Sequence, residues 1–199
     1  MQVKVREFID VQRPAREEFY SLIERFGELN ANEQKEALAE LIKKDPDFLD
    51  PYLLLFEILD AEGRGDEATK LLDEAYDRAL KLVLNDQGNW PDVLEWGWIE
   101  NRHIIRTFLT KAVDLWLEEK SEEALEILRN LFRSNPNDNP GTRFYILAIR
   151  KGMTPREFFT TFDREGFFDS SIEEWFQSHF MEFPDEFEWW IERLKGLGE

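Results

Sequence analysis

The stretch that decides the fold is Gly65-Asp-Glu-Ala-Thr-Lys-Leu-Leu-Asp-Glu-Ala75, which has a looser copy in Ser121-Glu-Glu-Ala-Leu-Glu-Ile-Leu-Arg-Asn-Leu131. In each copy an alanine is followed by a leucine and then by another apolar residue: Ala68, Leu72 and Ala75, then Ala124, Leu128 and Leu131. Their spacing of 4 and then 3 keeps the three side chains on one face of a helix. A repeated helical unit predicts an all-α chain of stacked helical hairpins.

The composition limits what else the chain can be. Its 199 residues, 42% of them hydrophobic, suffice for one compact domain or one short solenoid. The absence of cysteine excludes disulfides, thiolate metal sites and cysteine nucleophiles. No apolar run approaches the roughly 20 residues that span a bilayer, and the N-terminus lacks the apolar core of a signal peptide. We therefore expect a cytoplasmic protein without a membrane partner.

The charge balance is strongly acidic. The 43 acidic and 25 basic residues give a formal net charge of −18. Such a surface repels phosphate backbones and anionic lipids, so nucleic acid is not an expected partner. The charge either keeps an aromatic-rich chain soluble or forms an acidic face that attracts a basic partner.

Glycines and prolines divide the chain into segments. We expect an N-terminal arm at 1–13, helical repeats at 14–153 with an insertion at about 85–100, and aromatic-rich helices at 154–199 that pack on the repeats as one domain. The arm alternates apolar and polar residues, but no second strand is evident, so an extended or disordered arm is predicted.

Capping residues mark where several helices begin. Thr154 is followed by Pro155 and then by Glu157, which together predict a capped helix start. The same reasoning predicts N-caps at Asn32, Asp66 and Ser121. The apolar periodicity predicts further helices at Pro14–Phe26, Asp50–Ala61, Thr142–Lys151, about Ser170–Met181 and Pro184–Leu194.

The pattern of residues 47–151 resembles a tetratricopeptide repeat. With Ala68 at the first small position of the second helix, the family's other positions fall on Tyr52, Leu55, Phe56, Leu59, Gly63, Leu72 and Ala75, and in the later copy on Phe108, Ala112, Leu115, Ala124, Leu128, Leu131 and Pro136. Leu80 and Lys111 depart from the pattern, at a proline and a leucine position. The resemblance implies a right-handed α-α superhelix of about four hairpins.

The run Asn135-Pro-Asn-Asp-Asn-Pro-Gly-Thr-Arg-Phe144, together with Arg102, is similar to a run in tetratricopeptide-like proteins of largely unassigned function. Independently of that likeness, a proline stops the preceding helix, and Asp138 can accept bonds from nearby backbone amides. Gly141 permits a positive φ, and Arg143 can bond a carboxylate from the start of the next helix.

Membership of this family implies a concave groove that binds a partner and no catalytic residues. The groove would be lined by first-helix residues: Glu57, Asp60, Arg106, Leu109, Val113, Arg143, Leu147 and Arg150, with Leu53 beside them. Its arginines could hold a partner carboxylate, although the asparagine and lysine positions of the family's carboxylate clamp are not matched.

We therefore predict a non-catalytic protein-protein interaction module with no catalytic, cofactor or metal site. An enzyme would require a buried polar pocket around His103 with Arg102 and Arg106. The alternative is a self-assembling helical protein, with either the aromatic C-terminus or the insertion at Trp90–Trp98 as a homodimer contact. The C-terminal aromatics either seal the end of the repeats or form that exposed patch.

Overall fold

The structure is a computed structural model that describes residues 5–164 and 166–196. Within these residues the fold is all-α, as the sequence predicts. Its ten α-helices are α1 Arg16–Glu24, α2 Ala31–Lys44, α3 Asp50–Ala61, α4 Gly65–Val83, α5 Arg102–Leu117, α6 Ser121–Ser134, α7 Thr142–Arg150, α8 Pro155–Phe162, α9 Ser171–His179 and α10 Pro184–Gly196. Three short 3-10 helices lie at Phe26–Glu28, Ile99–Asn101 and Phe180–Glu182. The chain divides into two compact units, 1–111 and 112–199.

In the first unit, each helix packs on the next along the chain: α1 on α2, α2 on α3, and α3 on α4. One buried apolar cluster joins α1, α2 and the turn before α3 through Ala15, Phe19, Leu22, Leu38, Leu41 and Phe48. The stripe that the repeat predicts on α4 is confirmed, because Ala68, Leu72 and Ala75 have no exposed surface. Burial of such an apolar stripe stabilises a helix of this kind more than its intrinsic propensity does.

The predicted helix starts are partly confirmed. The Thr154 hydroxyl accepts the Glu157 N–H at 3.2 Å, and the Glu157 carboxylate accepts the Thr154 N–H at 2.8 Å. The other three caps are wrong. Asn30 caps α2 in place of Asn32, while α4 and α6 begin at Gly65 and Ser121 without a side-chain cap. These two helices start directly from a tight turn, so Asp66 and Ser121 already lie inside them.

Residues 5–13 form an extended arm held by hydrogen bonds. The N–H of Phe8 donates to the carbonyl of Val93 at 2.9 Å, and the N–H of Val93 donates to the carbonyl of Arg6 at 3.2 Å. Glu7 and Val93 thereby form an isolated parallel bridge. The insertion thus supplies the backbone partner of the arm, which the sequence did not reveal, and it has no helix before Ile99–Asn101. Residues 1–4 of the predicted arm lie outside the described residues.

In the second unit, α6 and α9 both pack on α7. Phe158, Phe162 and Phe176 are buried, as the helical spacing predicts. Phe167, by contrast, is 79% exposed. It lies in a hairpin that the sequence did not predict, in which strand β1 (Asp163–Arg164) pairs antiparallel with strand β2 (Phe167–Phe168).

The turn between α6 and α7 behaves as its residues predict. The buried carboxylate of Asp138 accepts the N–H groups of Thr142 at 2.6 Å and Arg143 at 3.2 Å, so it caps the start of α7. Gly141 has a φ of +73°. Trp190 of α10 closes the turn, since its indole N–H donates to the Pro136 carbonyl at 2.8 Å.

None of the helices in residues 5–164 and 166–196 combines the length and the apolarity that a bilayer crossing requires.

Candidate binding groove

An open groove lies between α1, α3 and the first half of α5 in the first unit. Its volume is about 360 Å³. Tyr20 and Ile23 of α1, which are 42% and 39% exposed, form one wall. The remaining lining residues are Phe19, Asp50, Leu53, Leu54, Glu57, Arg106, Leu109 and Thr110. The groove is therefore mainly apolar, with a few polar groups at fixed places.

One polar feature of the groove is a partly buried ion pair. Arg106 donates from Nε and Nη2 to the two carboxylate oxygens of Asp50, at 2.9 and 2.6 Å. The hydroxyl of Tyr20 also donates to Asp50, at 3.2 Å. Burial disfavours the charged guanidinium, but the carboxylate of Asp50 outweighs that effect and raises the pKa of Arg106. The guanidinium lies over the Trp96 ring, with Cζ 5.8 Å from the ring centroid, and no hydrogen-bond partner of its Nη1 is found in residues 5–164 and 166–196, so the Nη1 edge remains available.

Glu57 is the other charged group of the groove. Its side chain is exposed beside the apolar wall, and partial desolvation there raises the pKa of its carboxyl group. The ion pairs between described residues do not include Glu57 or Asp60, which lies one turn later on α3. With Asp50 neutralised by Arg106, this side of the groove carries unpaired negative charge.

Four of the predicted groove residues lie together in the first unit. Leu53, Glu57, Arg106 and Leu109 line the groove, whereas Asp60 lies on α3 outside its lining. Val113, Arg143, Leu147 and Arg150 belong to the second unit. Leu147 has no exposed surface and cannot contact a partner, because α7 is covered by its neighbours, so the prediction is corrected at this residue.

The predicted arginines bind carboxylates of the chain itself. Arg143 pairs with Asp138 at 2.7 Å and also with Glu173. Arg150 pairs with Asp185 at 2.6 Å and with Glu186 of α10. A partner carboxylate at either arginine would therefore have to compete with these internal anions.

Glu186 is buried between two arginines. Arg129 donates to it from Nε at 3.0 and 3.1 Å, and Arg150 donates to it from Nη1. Burial would raise the pKa of Glu186, but the hydrogen bonds from Arg129 and Arg150 outweigh burial and lower it. The carboxylate therefore stays ionised and attaches α10 to α6 and α7.

His103 lies in a buried polar network of the first unit. This network does not contain Arg102 and Arg106, the two residues expected beside His103 in an enzyme. The N–H of Leu49 donates to Nδ1 at 3.2 Å, so Nε2 carries the proton and donates to Asp10 at 2.9 Å. Arg102 instead donates to the Trp96 carbonyl, and Arg106 donates to Asp50. Both imidazole nitrogens are thus engaged in holding the arm and the start of α3.

The sequence pattern does not identify α1 as a wall of the groove. The helical spacing of Phe19, Leu22 and Ile23 predicts one inward stripe, but Ile23 is 39% exposed beside Tyr20. The sequence does contain a signal for this wall, because Tyr20 and Ile23 are three residues apart and therefore lie side by side on the flank of that stripe. Their exposure depends on how α1 meets α3, which the periodicity of one helix does not specify.

Comparison with protein-family models, with curated proteins and with solved structures finds no match to this chain.

Proposed function

We propose that the protein is a non-catalytic protein-protein interaction module that holds a segment of a partner in the groove between α1, α3 and α5. The observation that carries the proposal is the open groove of about 360 Å³ with exposed Tyr20 and Ile23 on its wall. Large side chains left exposed around a concave apolar surface are typical of protein-binding sites.

The arrangement of the helices supports a tetratricopeptide-like superhelix as part of this proposal. α1, α3 and α5 alternate with α2 and α4 along the chain, and the first of each predicted pair contributes to the groove. In the proposed architecture the first helices of successive hairpins form the concave face.

The chemistry of the groove indicates what the segment would contain. Apolar side chains would fill the space beside Leu53, Leu54 and Leu109, and a backbone carbonyl or carboxylate would accept from Nη1 of Arg106. A lysine or arginine would lie near Glu57, whose charge has no partner among the described residues. The partner segment is therefore apolar with a basic flank.

Photo-crosslinking tests the proposal. A benzoyl-phenylalanine placed at Ile23 should crosslink one or a few proteins in native extract, whereas the same residue at Ile99, which is similarly exposed outside the groove, should not. Peptides tiled from the crosslinked protein should then bind the full chain, and Ile23→Glu should weaken that binding by roughly tenfold or more while Ile99→Glu changes it little. Peptides that bind both variants as well as the unchanged chain would refute the groove as the site.

A further inference from the structure

Three buried side-chain polar atoms have no hydrogen-bond partner among the residues that the structure describes. They are Nδ2 and Oδ1 of Asn135 and Nε of Arg143. Asn135 is 1% exposed, so bulk water does not reach its amide. Buried polar atoms in folded proteins almost always have a partner, because leaving one unpaired destabilises the fold. The three atoms therefore indicate a ligand within the second unit.

All three atoms belong to the closed turn between α6 and α7. Asn135 follows the last residue of α6, and Arg143 lies in the first turn of α7. The N–H of Asp138 donates to the Asn135 carbonyl at 2.9 Å, and Nη1 of Arg143 donates to the Asp138 carboxylate at 2.7 Å. Trp190 covers the turn, because it donates to the Pro136 carbonyl and its ring centroid lies 5.7 Å from Cζ of Arg143. The unpartnered atoms are thus gathered in one enclosed turn.

The chemistry of these atoms narrows the choice of ligand. Nδ2 of Asn135 and Nε of Arg143 are donors, whereas Oδ1 of Asn135 is an acceptor. A bare anion would offer no proton to Oδ1 and would approach the buried carboxylate of Asp138. A cation would meet the guanidinium of Arg143, whose charge is already paired with Asp138 and Glu173. The ligand should therefore be neutral, able both to accept and to donate, and small enough for an enclosed site.

We propose that this turn binds a buried water molecule, which accepts from Nδ2 of Asn135 and Nε of Arg143 and donates to Oδ1 of Asn135. Buried waters in proteins typically make about three hydrogen bonds to polar groups that have no other partner. The water links the end of α6 to the first turn of α7. The inference concerns the second unit alone and does not depend on the groove between α1, α3 and α5.

A high-resolution crystal structure of the full chain tests the proposal directly. We expect an ordered water within about 2.7–3.2 Å of at least two of the three atoms. An Asn135 amide that bonds directly to protein groups, for example with Oδ1 accepting from Nε of Arg143, would overturn the proposal. An amide with neither a water nor a protein partner would also overturn it.

Magnetic relaxation dispersion of water nuclei tests the same site in solution, because it counts waters that stay long in a protein. Asn135→Leu keeps the branching of the side chain but removes both amide atoms, so the count should fall by about one. Asn139→Leu makes the same change at an exposed position of the same turn and should leave the count unchanged. An equal count for both variants and the unchanged chain would contradict the proposal. If Asn135→Leu does not fold, the crystal structure of the unchanged chain decides.

Discussion

The imidazole Nε2 of His103 lies 2.9 Å from a carboxylate oxygen of Asp10, although the two residues are 93 positions apart in the sequence. Arg13 donates to the same carboxylate at 2.6 and 2.5 Å, and Asn101 accepts the N–H of Asp10 at 2.9 Å. The arm is thus attached to the start of α5 by a network in which each polar group has a partner.

Replacing His103 should destabilise the first unit even when the volume of the side chain is kept. His103→Phe keeps most of the volume but leaves the N–H of Leu49 unpaired and removes one of the donors to Asp10. We expect a loss of about 2–4 kcal/mol in the free energy of unfolding, measured by urea denaturation. Tyr20→Phe, which removes one partly exposed hydrogen bond, should cost less than about 1 kcal/mol. Equal costs for the two variants would contradict the network.

Asp10 should make stability depend on pH in the acid range. Burial would raise its pKa, but the hydrogen bonds from His103 and Arg13 outweigh burial and lower the pKa below the usual 3.8. A carboxyl whose pKa is lower in the folded chain stabilises it above the unfolded pKa and loses that contribution as the pH falls through the folded pKa. The stability difference between the unchanged chain and Asp10→Asn should therefore shrink between about pH 5 and pH 2.

Urea titrations at several pH values measure this difference. Asp60→Asn removes an exposed carboxylate of the same unit and serves as the matched control, because its effect should be small at every pH. A difference for Asp10→Asn that stays constant down to about pH 2 would show that the carboxylate is not held in its ionised form.

Two neighbouring carboxylates on α10 should differ sharply in their contribution. Glu186→Gln leaves Arg129 and Arg150 without their buried anion, which should cost about 2–4 kcal/mol. Asp185→Asn removes a more exposed anion from Arg150 and should cost less than about 1 kcal/mol. Urea denaturation followed by tryptophan fluorescence compares the stability of the two variants. A larger loss of stability for Asp185→Asn would contradict the assignment of Glu186 as the more important partner of the arginines.

Two glycines next to α7 separate backbone strain from packing. Gly141 and Gly152 have nearly equal φ values of +73° and +72°, but a Cβ at Gly141 would lie 2.9 Å from Phe144 Cδ2, whereas a Cβ at Gly152 would meet nothing within 4 Å. Gly152→Ala should cost about 1–2 kcal/mol for the left-handed conformation alone. Gly141→Ala should cost at least about 1 kcal/mol more, as measured by thermal or urea unfolding. Equal losses would indicate that Phe144 moves aside freely.

The features predicted correctly from sequence are those decided by neighbours along the chain. α3 has the predicted bounds Asp50–Ala61, and the capping box of Thr154 and Glu157 forms as expected, because both depend on residues within one turn. The buried stripe of α4 also follows from helical periodicity. The predicted caps at Asp66 and Ser121 are wrong because a tight turn precedes each helix. α4 begins at Gly65, one residue before Asp66, and α6 begins at Ser121 itself.

Only part of the groove could be predicted from the sequence. The family pattern selected Glu57, Arg106 and Leu109, yet it also selected Arg143 and Arg150, whose charges are used inside the second unit. With 43 acidic residues in the chain, no spacing rule tells which carboxylate lies beside which arginine. That choice is made when helices distant in sequence pack together.

The amino-acid sequence by itself determined that this chain is all-α, where most of its helices lie, and which face of each helix is apolar, since periodicity and capping act over three or four residues. Only the tertiary structure decided which polar groups pair: Asp10 with His103, Arg106 with Asp50, and Glu186 with two arginines. A buried charge requires a partner of opposite sign, but the partner's position along the chain is set by packing and not by local conformation. The open groove likewise follows from how α1, α3 and α5 pack in the first unit.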